Sequence, residues 1–190
     1  MIGAIVLAAG SSSRMGRAKA DLPIGPGGRS FVDTITGTLA AAGVSAVKVV
    51  VAPGLPRPPE HAVVNPDPSA GMLSSLQCGL GAFQEVLDAV LVWPVDHPLV
   101  ERDTVVALIA AFQCTGAPVV VPTHLGRRGH PVLFAARLFP ELTAADPSQG
   151  ARAVVHAHDD RVELPVSDDG VVSDIDTPED YARAFGTVAP

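Results

Sequence analysis

Four short, nearly continuous apolar runs, Ile2–Leu7, Val47–Ala52, Ala89–Val95 and Pro118–Val121, constrain the fold of this 190-residue chain more than any other feature. A strand half-exposed to water alternates apolar and polar residues, whereas a strand covered on both faces does not need to. Between the runs lie apolar residues at i, i+3 and i+4 spacing: Phe31, Ile35 and Leu39; Leu73, Leu76, Leu80, Phe83 and Leu87; and Val105, Leu108, Ile109 and Phe112. These are the faces of amphipathic helices. The order β-α-β-β-α-β-α-β predicts an α/β protein, a three-layer α/β/α sandwich around a mostly parallel sheet with right-handed crossovers. The length fits one domain over residues 1–190. Pro53–Pro59 reads as a stiff surface loop and not as a linker. After Leu125 the chain is more polar, with short strands expected at Val132–Phe134 and Arg161–Val166 and helices near Ala151 and Asp180.

Thirteen lysines and arginines against twenty acidic residues give a net charge of −7, a field that opposes binding to nucleic acid or to an anionic membrane. An anionic ligand must then be met by local cations. Arg14 with Lys19, and the pair Arg127–Arg128, stand out on that ground, the more so because Lys19 and Lys48 are the only lysines. Cys78 and Cys114 have no spacing that suggests a disulfide framework or a thiolate zinc site. With no membrane-length apolar run and no leader pattern, a cytoplasmic protein is expected.

The stretch Ile5–Gly16 leads from a strand into a turn of small residues, Ala8, Ala9, Gly10, Ser11 and Ser12, followed by Arg14 and Lys19. Small side chains let the backbone come close to a ligand, and successive N–H groups in such a turn form a concavity for anions. Arg14 and Lys19 add full positive charges for phosphate oxygens. No Gly-x-Gly-x-x-Gly follows Leu7, which argues against a dinucleotide oxidoreductase. Asp96 follows the third apolar run, so it and the first turn both lie beyond strand carboxyl ends, where open α/β sheets bind ligands. Asp96 suits a Mg²⁺ ion on phosphate oxygens, or else a turn or helix cap. Thr177, Pro178, Glu179 and Asp180 form a helix start, which leaves Asp174 and Asp176 unexplained; in a strand these two share one face. Asn65, Gly71 and Ser74 precede or open a helix and suit either capping or a nucleotide. The loop bearing Arg127, Arg128 and His130 is a solvated face or a site for an anionic acceptor. His156–Asp160 reads as a polar helix end.

The N-terminal string resembles the signature of the MobA-like nucleotidyltransferases, and Leu7–Gly10 with Ala9 resembles their molybdenum cofactor cytidylyltransferase branch, glycine being usual at Ala9 in the guanylyltransferase branch. Further matches are Asn65 with Gly71–Leu76, Val95–Val100, Gly129–Phe134 and Asp174–Tyr181. The resemblance implies a Rossmann-like sheet of the nucleotide-diphospho-sugar transferase type, with a nucleotide-binding N-terminal half and an acceptor-facing segment, 125–190. It implies a Mg²⁺-dependent transfer of a nucleoside monophosphate, CMP from CTP with GTP as the other candidate, to the phosphate of the molybdenum-pterin cofactor, with a molybdoenzyme as recipient. Arg14, Lys19 and Asp96 are then catalytic; Leu7, Ala8, Ala9, Gly10, Ser11, Ser12, Asn65, Gly71 and Ser74 bind nucleotide. Asp96, Asp174 and Asp176 border the metal, and Arg127, Arg128 and His130 face the acceptor. A sugar phosphate or another small phosphorylated acceptor, and a non-catalytic nucleotide- or cofactor-binding module, are the alternatives. Two departures bear on this: His97 stands where relatives often have Met or Gln, and Pro147–Arg152 lacks the acid of their Gly-Asp-x-Gly-Ala-Arg.

Overall fold

The computed structural model describes residues 1–10, 19–55, 58–59, 62–147 and 150–187. Its elements in order are β1 (Ile2–Ala8), α1 (Phe31–Ala41), β2 (Ala46–Val51), β3 (Ala62–Val64), α2 (Met72–Gly81), β4 (Ala89–Pro94) and α3 (Arg102–Thr115). Then follow β5 (Val119–His124), β6 (Arg127–Arg128), β7 (Val132–Ala135), α4 (Phe139–Ala144), α5 (Ala151–Ala157), β8 (Val162–Pro165) and α6 (Pro178–Phe185). The strands join in the order β3-β2-β1-β4-β7-β5, with β6 and β8 also paired to β5. Pairings β1–β2, β1–β4, β2–β3 and β5–β8 are parallel. β7 is antiparallel to both β4 and β5, so those two run the same way with one reversed strand between them.

The continuous apolar runs arise because both faces of the sheet are covered. Ala4 and Val6 of β1, with Ala89, Leu91 and Trp93 of β4, meet α1, α3 and α6 through Phe31, Ile35, Leu108 and Tyr181. Ile5, Leu7, Val90 and Val92 point the other way, to Leu73 and Leu76 of α2, Leu142 of α4 and Val154 of α5. Period-two side chains thus divide one apolar string between two cores, and the three-layer α/β/α sandwich follows. Against the second face α2 lies close: a Cβ on Gly79 would stand 2.7 Å from Ile5 Cγ2.

The expected helix through Leu87 is shorter. α2 ends at Gly81, where Ala82 and Phe83 N–H groups turn back to Gly79 and Leu80 carbonyls, and Phe83 and Leu87 instead cover β1 over Gly3. Their spacing matched a helix because both still face the core. Asp174 and Asp176 do not lie in a strand; they fall in irregular chain between a 3₁₀ turn, Asp169–Val172, and α6. Among the described residues no helix is long and apolar enough to cross a membrane. Pro56 and Arg57 of the proline-rich loop lie outside the described residues.

Candidate active site at the carboxyl edge of the sheet

Register places the site. Leu7 of β1 is level with Pro94 of β4, and the Val95 N–H donates to the Leu7 carbonyl at 3.0 Å. The turn that begins at Ala9 and Gly10 and the carboxylate of Asp96 therefore emerge beside each other, from the same edge. Ala9 is buried and Gly10 exposed. Ser11, Ser12 and Arg14 lie outside the described residues.

The chain re-enters at Lys19–Asp21, a 3₁₀ turn held by burial of Ala20 and Leu22 in the α1-side core. Leu22 accepts a hydrogen bond from the Phe31 N–H at 2.8 Å, and the Tyr181 hydroxyl donates to the Pro23 carbonyl at 2.8 Å. Lys19 is thus delivered from a fixed base. Its Nζ makes a close ion pair with Asp176 Oδ1 and lies 3.5 Å from Asp96 Oδ2. The three side chains are 12%, 25% and 37% exposed for Lys19, Asp96 and Asp176, so the group sits in a partly dry recess. Asp176 is brought there by its neighbour: the Ile175 N–H donates to the Asp96 carbonyl at 2.8 Å, and Ile175 itself is buried. Asp174 is exposed and makes no hydrogen bond or ion pair among the described residues, so the structure brings only one of that acidic pair to Asp96.

The other oxygen of Asp96, Oδ1, is buried without a hydrogen-bond partner among the described residues. His97 Nε2 lies 3.9 Å from it, beyond hydrogen-bond reach. A buried carboxylate oxygen with nothing to accept from is costly unless a cation or water satisfies it. Two carboxylates of hard oxygens, one following β4 and one in the chain before α6, fit a divalent cation such as Mg²⁺ or Mn²⁺.

Beside Asp96, His97 is buried and its ring lies 5.0 Å from that of His130. His97 Nδ1 is 3.4 Å from the Gly170 carbonyl, and its own carbonyl accepts from Trp93 Nε1 at 3.0 Å. His130 Nδ1 is also buried without a partner among the described residues. Burial, with the nearby His97 adding to it, lowers the His130 pKa from 6.5 to about 4. His130 thus lies against His97, the neighbour of Asp96, and is neutral near pH 7.

Asn65 and Ser74 form a second polar group at the same edge, since the Asn65 N–H continues β3 by donating to Val51. Asn65 Nδ2 donates to Ser74 Oγ at 2.8 Å and Ser75 Oγ at 3.0 Å, while its Oδ1 accepts from the Asp67 N–H. Ser74 Oγ in turn donates to the Gly71 carbonyl at 2.7 Å. Gly71, at φ 102°, precedes α2 with no side-chain cap. A side chain there would press on the Pro147 carbonyl, which stands 3.3 Å from an added Cβ.

Arg127 and Arg128 sit in the β5–β6 hairpin, past His124, again beyond the carboxyl edge of a strand parallel to β4. Arg128 is engaged: its Nε donates to Glu163 Oε1 at 2.9 Å. That bond, opposed by desolvation and aided by Arg161, holds the Glu163 carboxyl below its ordinary range. Arg127 is exposed.

One residue that sequence reasoning missed is Asp168. Its buried carboxylate accepts from the Glu101 N–H at 2.8 Å, Thr104 Oγ1 at 2.7 Å and the Gly170 N–H at 2.9 Å. It caps α3 from 67 positions away and so fixes the loop that carries Asp96. Nothing local in the sequence marks it.

The profile of the MobA-like NTP transferase domain family matches residues 4–162. A Mycobacterium tuberculosis protein named a probable molybdenum cofactor guanylyltransferase is 36% identical over 121 residues, 62% of this chain and 60% of that protein. The chain thus spans about three fifths of the length of the curated relatives it matches. Among solved structures, Rv0371c from M. tuberculosis H37Rv is 25% identical with a TM-score of 0.82, covering 98% of this chain and 97% of that one. The same protein in complex with manganese gives a TM-score of 0.77 at 23% identity, covering 98% and 99%. Together with the strand-edge site, the match over 4–162 shows that this chain belongs to the MobA-like NTP transferase family.

Proposed function

We propose that the chain transfers CMP from CTP to the phosphate of the molybdenum-pterin cofactor and releases pyrophosphate. The observation that carries this reading is the convergence of Lys19, Asp96 and Asp176 where the turn after β1 emerges. An oxygen of the acceptor phosphate forms a bond to the α-phosphorus, and the bond from that phosphorus to the α–β bridging oxygen breaks, its electron pair leaving with pyrophosphate. The attacking phosphate is already an anion, so the protein supplies alignment and charge, not a base. Lys19 and Arg14 neutralise the triphosphate, and the turn Leu7–Ser12 cradles it. Asp96 and Asp176 hold the metal, read here as Mg²⁺, which when bound would draw charge from the phosphate oxygens. Gly71 at the open end of α2 offers backbone N–H groups to the nucleotide, with Asn65 and Ser74 bracing it. Exposed Arg127, with His130 behind it, faces the acceptor on the 125–190 side. Arg128, tied to Glu163, orients the hairpin. The free cysteines Cys78 and Cys114 fit a reaction in the cytoplasm, with a molybdoenzyme taking up the product.

CTP rests on Ala9, where glycine marks the guanylyltransferase branch. GTP is the second reading, because the mycobacterial relative is named a guanylyltransferase. Pyrophosphate release with the molybdenum-pterin cofactor and each of CTP, GTP, ATP and UTP decides among them. Release only with CTP supports the reading, and release only with GTP replaces its base. Nucleotide binding with no metal-dependent release for this acceptor or for sugar phosphates would reduce the chain to a binding module.

A further inference from the structure

Lys19 is asked for in two places at once. Its ammonium contacts Asp176 and lies 3.5 Å from Asp96, in the gap between two carboxylates. A triphosphate demands the same ammonium, and a divalent cation demands the same gap. Two cations cannot share that recess, because like charges a few ångströms apart repel strongly where water is scarce. One ammonium against two carboxylates leaves these three groups a net charge of −1, and among the described residues Asp96 Oδ1 has no donor.

We infer that Lys19 is a built-in stand-in for the metal: it holds the gap until nucleotide arrives, then gives up the carboxylates and moves to the phosphates. The inference rests on the nucleotidyl-transfer reading and adds a binding order to it. Metal alone must displace Lys19 with no phosphate to receive it, so it binds weakly. Metal with nucleotide meets no such opposition. Each therefore raises the affinity for the other by the same factor, as linkage requires.

The test is Mn²⁺ binding, followed by the paramagnetic signal of the free ion, with and without CTP or GTP. Lys19→Met removes the competitor. It should bind Mn²⁺ alone about tenfold more tightly than the natural chain, a change of about 1.4 kcal/mol, and lose most of the nucleotide-linked gain. Unchanged or weaker Mn²⁺ binding by a folded Lys19→Met chain overturns the inference. Because that variant could fail to fold, the natural chain offers a second readout. With only two lysines, its ¹⁵N ammonium spectrum separates Lys19 from Lys48, which lies 5.4 Å from the centre of the Phe83 ring and serves as reference. The Lys19 signal should move with Mg²⁺ plus nucleotide and stay with Mg²⁺ alone at the same concentration; equal movement in both overturns the stand-in role. Asp96→Asn distinguishes the two layers. If it binds Mn²⁺ with nucleotide as well as the natural chain does, the metal reading itself fails, whatever Lys19 does.

Discussion

Two polar groups stand beyond the same edge of the sheet and are built in opposite ways. Around Asn65 both amide protons and the amide oxygen are used by Ser74, Ser75 and Asp67, so the group closes on itself and ties the end of β3 to the start of α2. Around Asp96 a buried oxygen has no partner among the described residues, and the Lys19 ammonium lies between two carboxylates. A completed network rigidifies; an incomplete one in a dry recess costs stability unless a ligand completes it. On the proposed function the first is scaffold and the second receives the ligand's charge, although both come from motifs of equal prominence in the sequence.

The largest effect expected from this contrast is at Asp96. Asp96→Ala should lower turnover by about a thousandfold, roughly 4 kcal/mol in the barrier, with little change in the melting temperature. Comparable turnover in steady-state assays would make Asp96 scaffold too. Next comes acid. His130 stays neutral in the folded chain down to pH about 4 but takes a proton near 6.5 once unfolded. The unfolded state then binds more protons between those values, so stability is complete above about pH 6.5 and falls as pH drops toward 4, by about 3 kcal/mol. Melting curves across that range should show the fall, and His130→Asn should flatten it. Asn65→Ala should cost about 2 kcal/mol of stability while keeping turnover within a few-fold, since it strips partners from Ser74, Ser75 and Asp67. A hundredfold loss of turnover at unchanged denaturant midpoint would erase the contrast. Smallest is Arg128→Ala: its solvent-screened pair with Glu163 should leave the melting temperature unchanged within measurement error.

The layered fold was legible because burial of both faces leaves an unmistakable mark, four apolar runs of strand length. Strand direction leaves none. Val132–Ala135 is as apolar as its neighbours, and nothing in those side chains says that β7 runs backwards between β4 and β5. The meeting of Lys19 and Asp96 was legible from their places after strands that end at one edge of the sheet. The choice between Asp174 and Asp176 was not, because it hangs on the hydrogen bond from Ile175 to Asp96, 79 positions earlier in the chain. Asp168 was invisible for the same reason: its hydrogen bonds reach Glu101 and Thr104. The end of α2 was misjudged because helix spacing and loop burial put Phe83 and Leu87 on the same core.

Lys19, Asp96 and Asp176 enter the polypeptide far apart, and the last of them is translated after every strand of the sheet is complete. While the ribosome is still making α5 or β8, the emerging chain owns a sheet edge and one of its two acidic jaws but lacks the other. Assembly of the recess is therefore a late event in the life of each molecule, and a nascent fragment lacks the second carboxylate until nearly the whole chain has been synthesised.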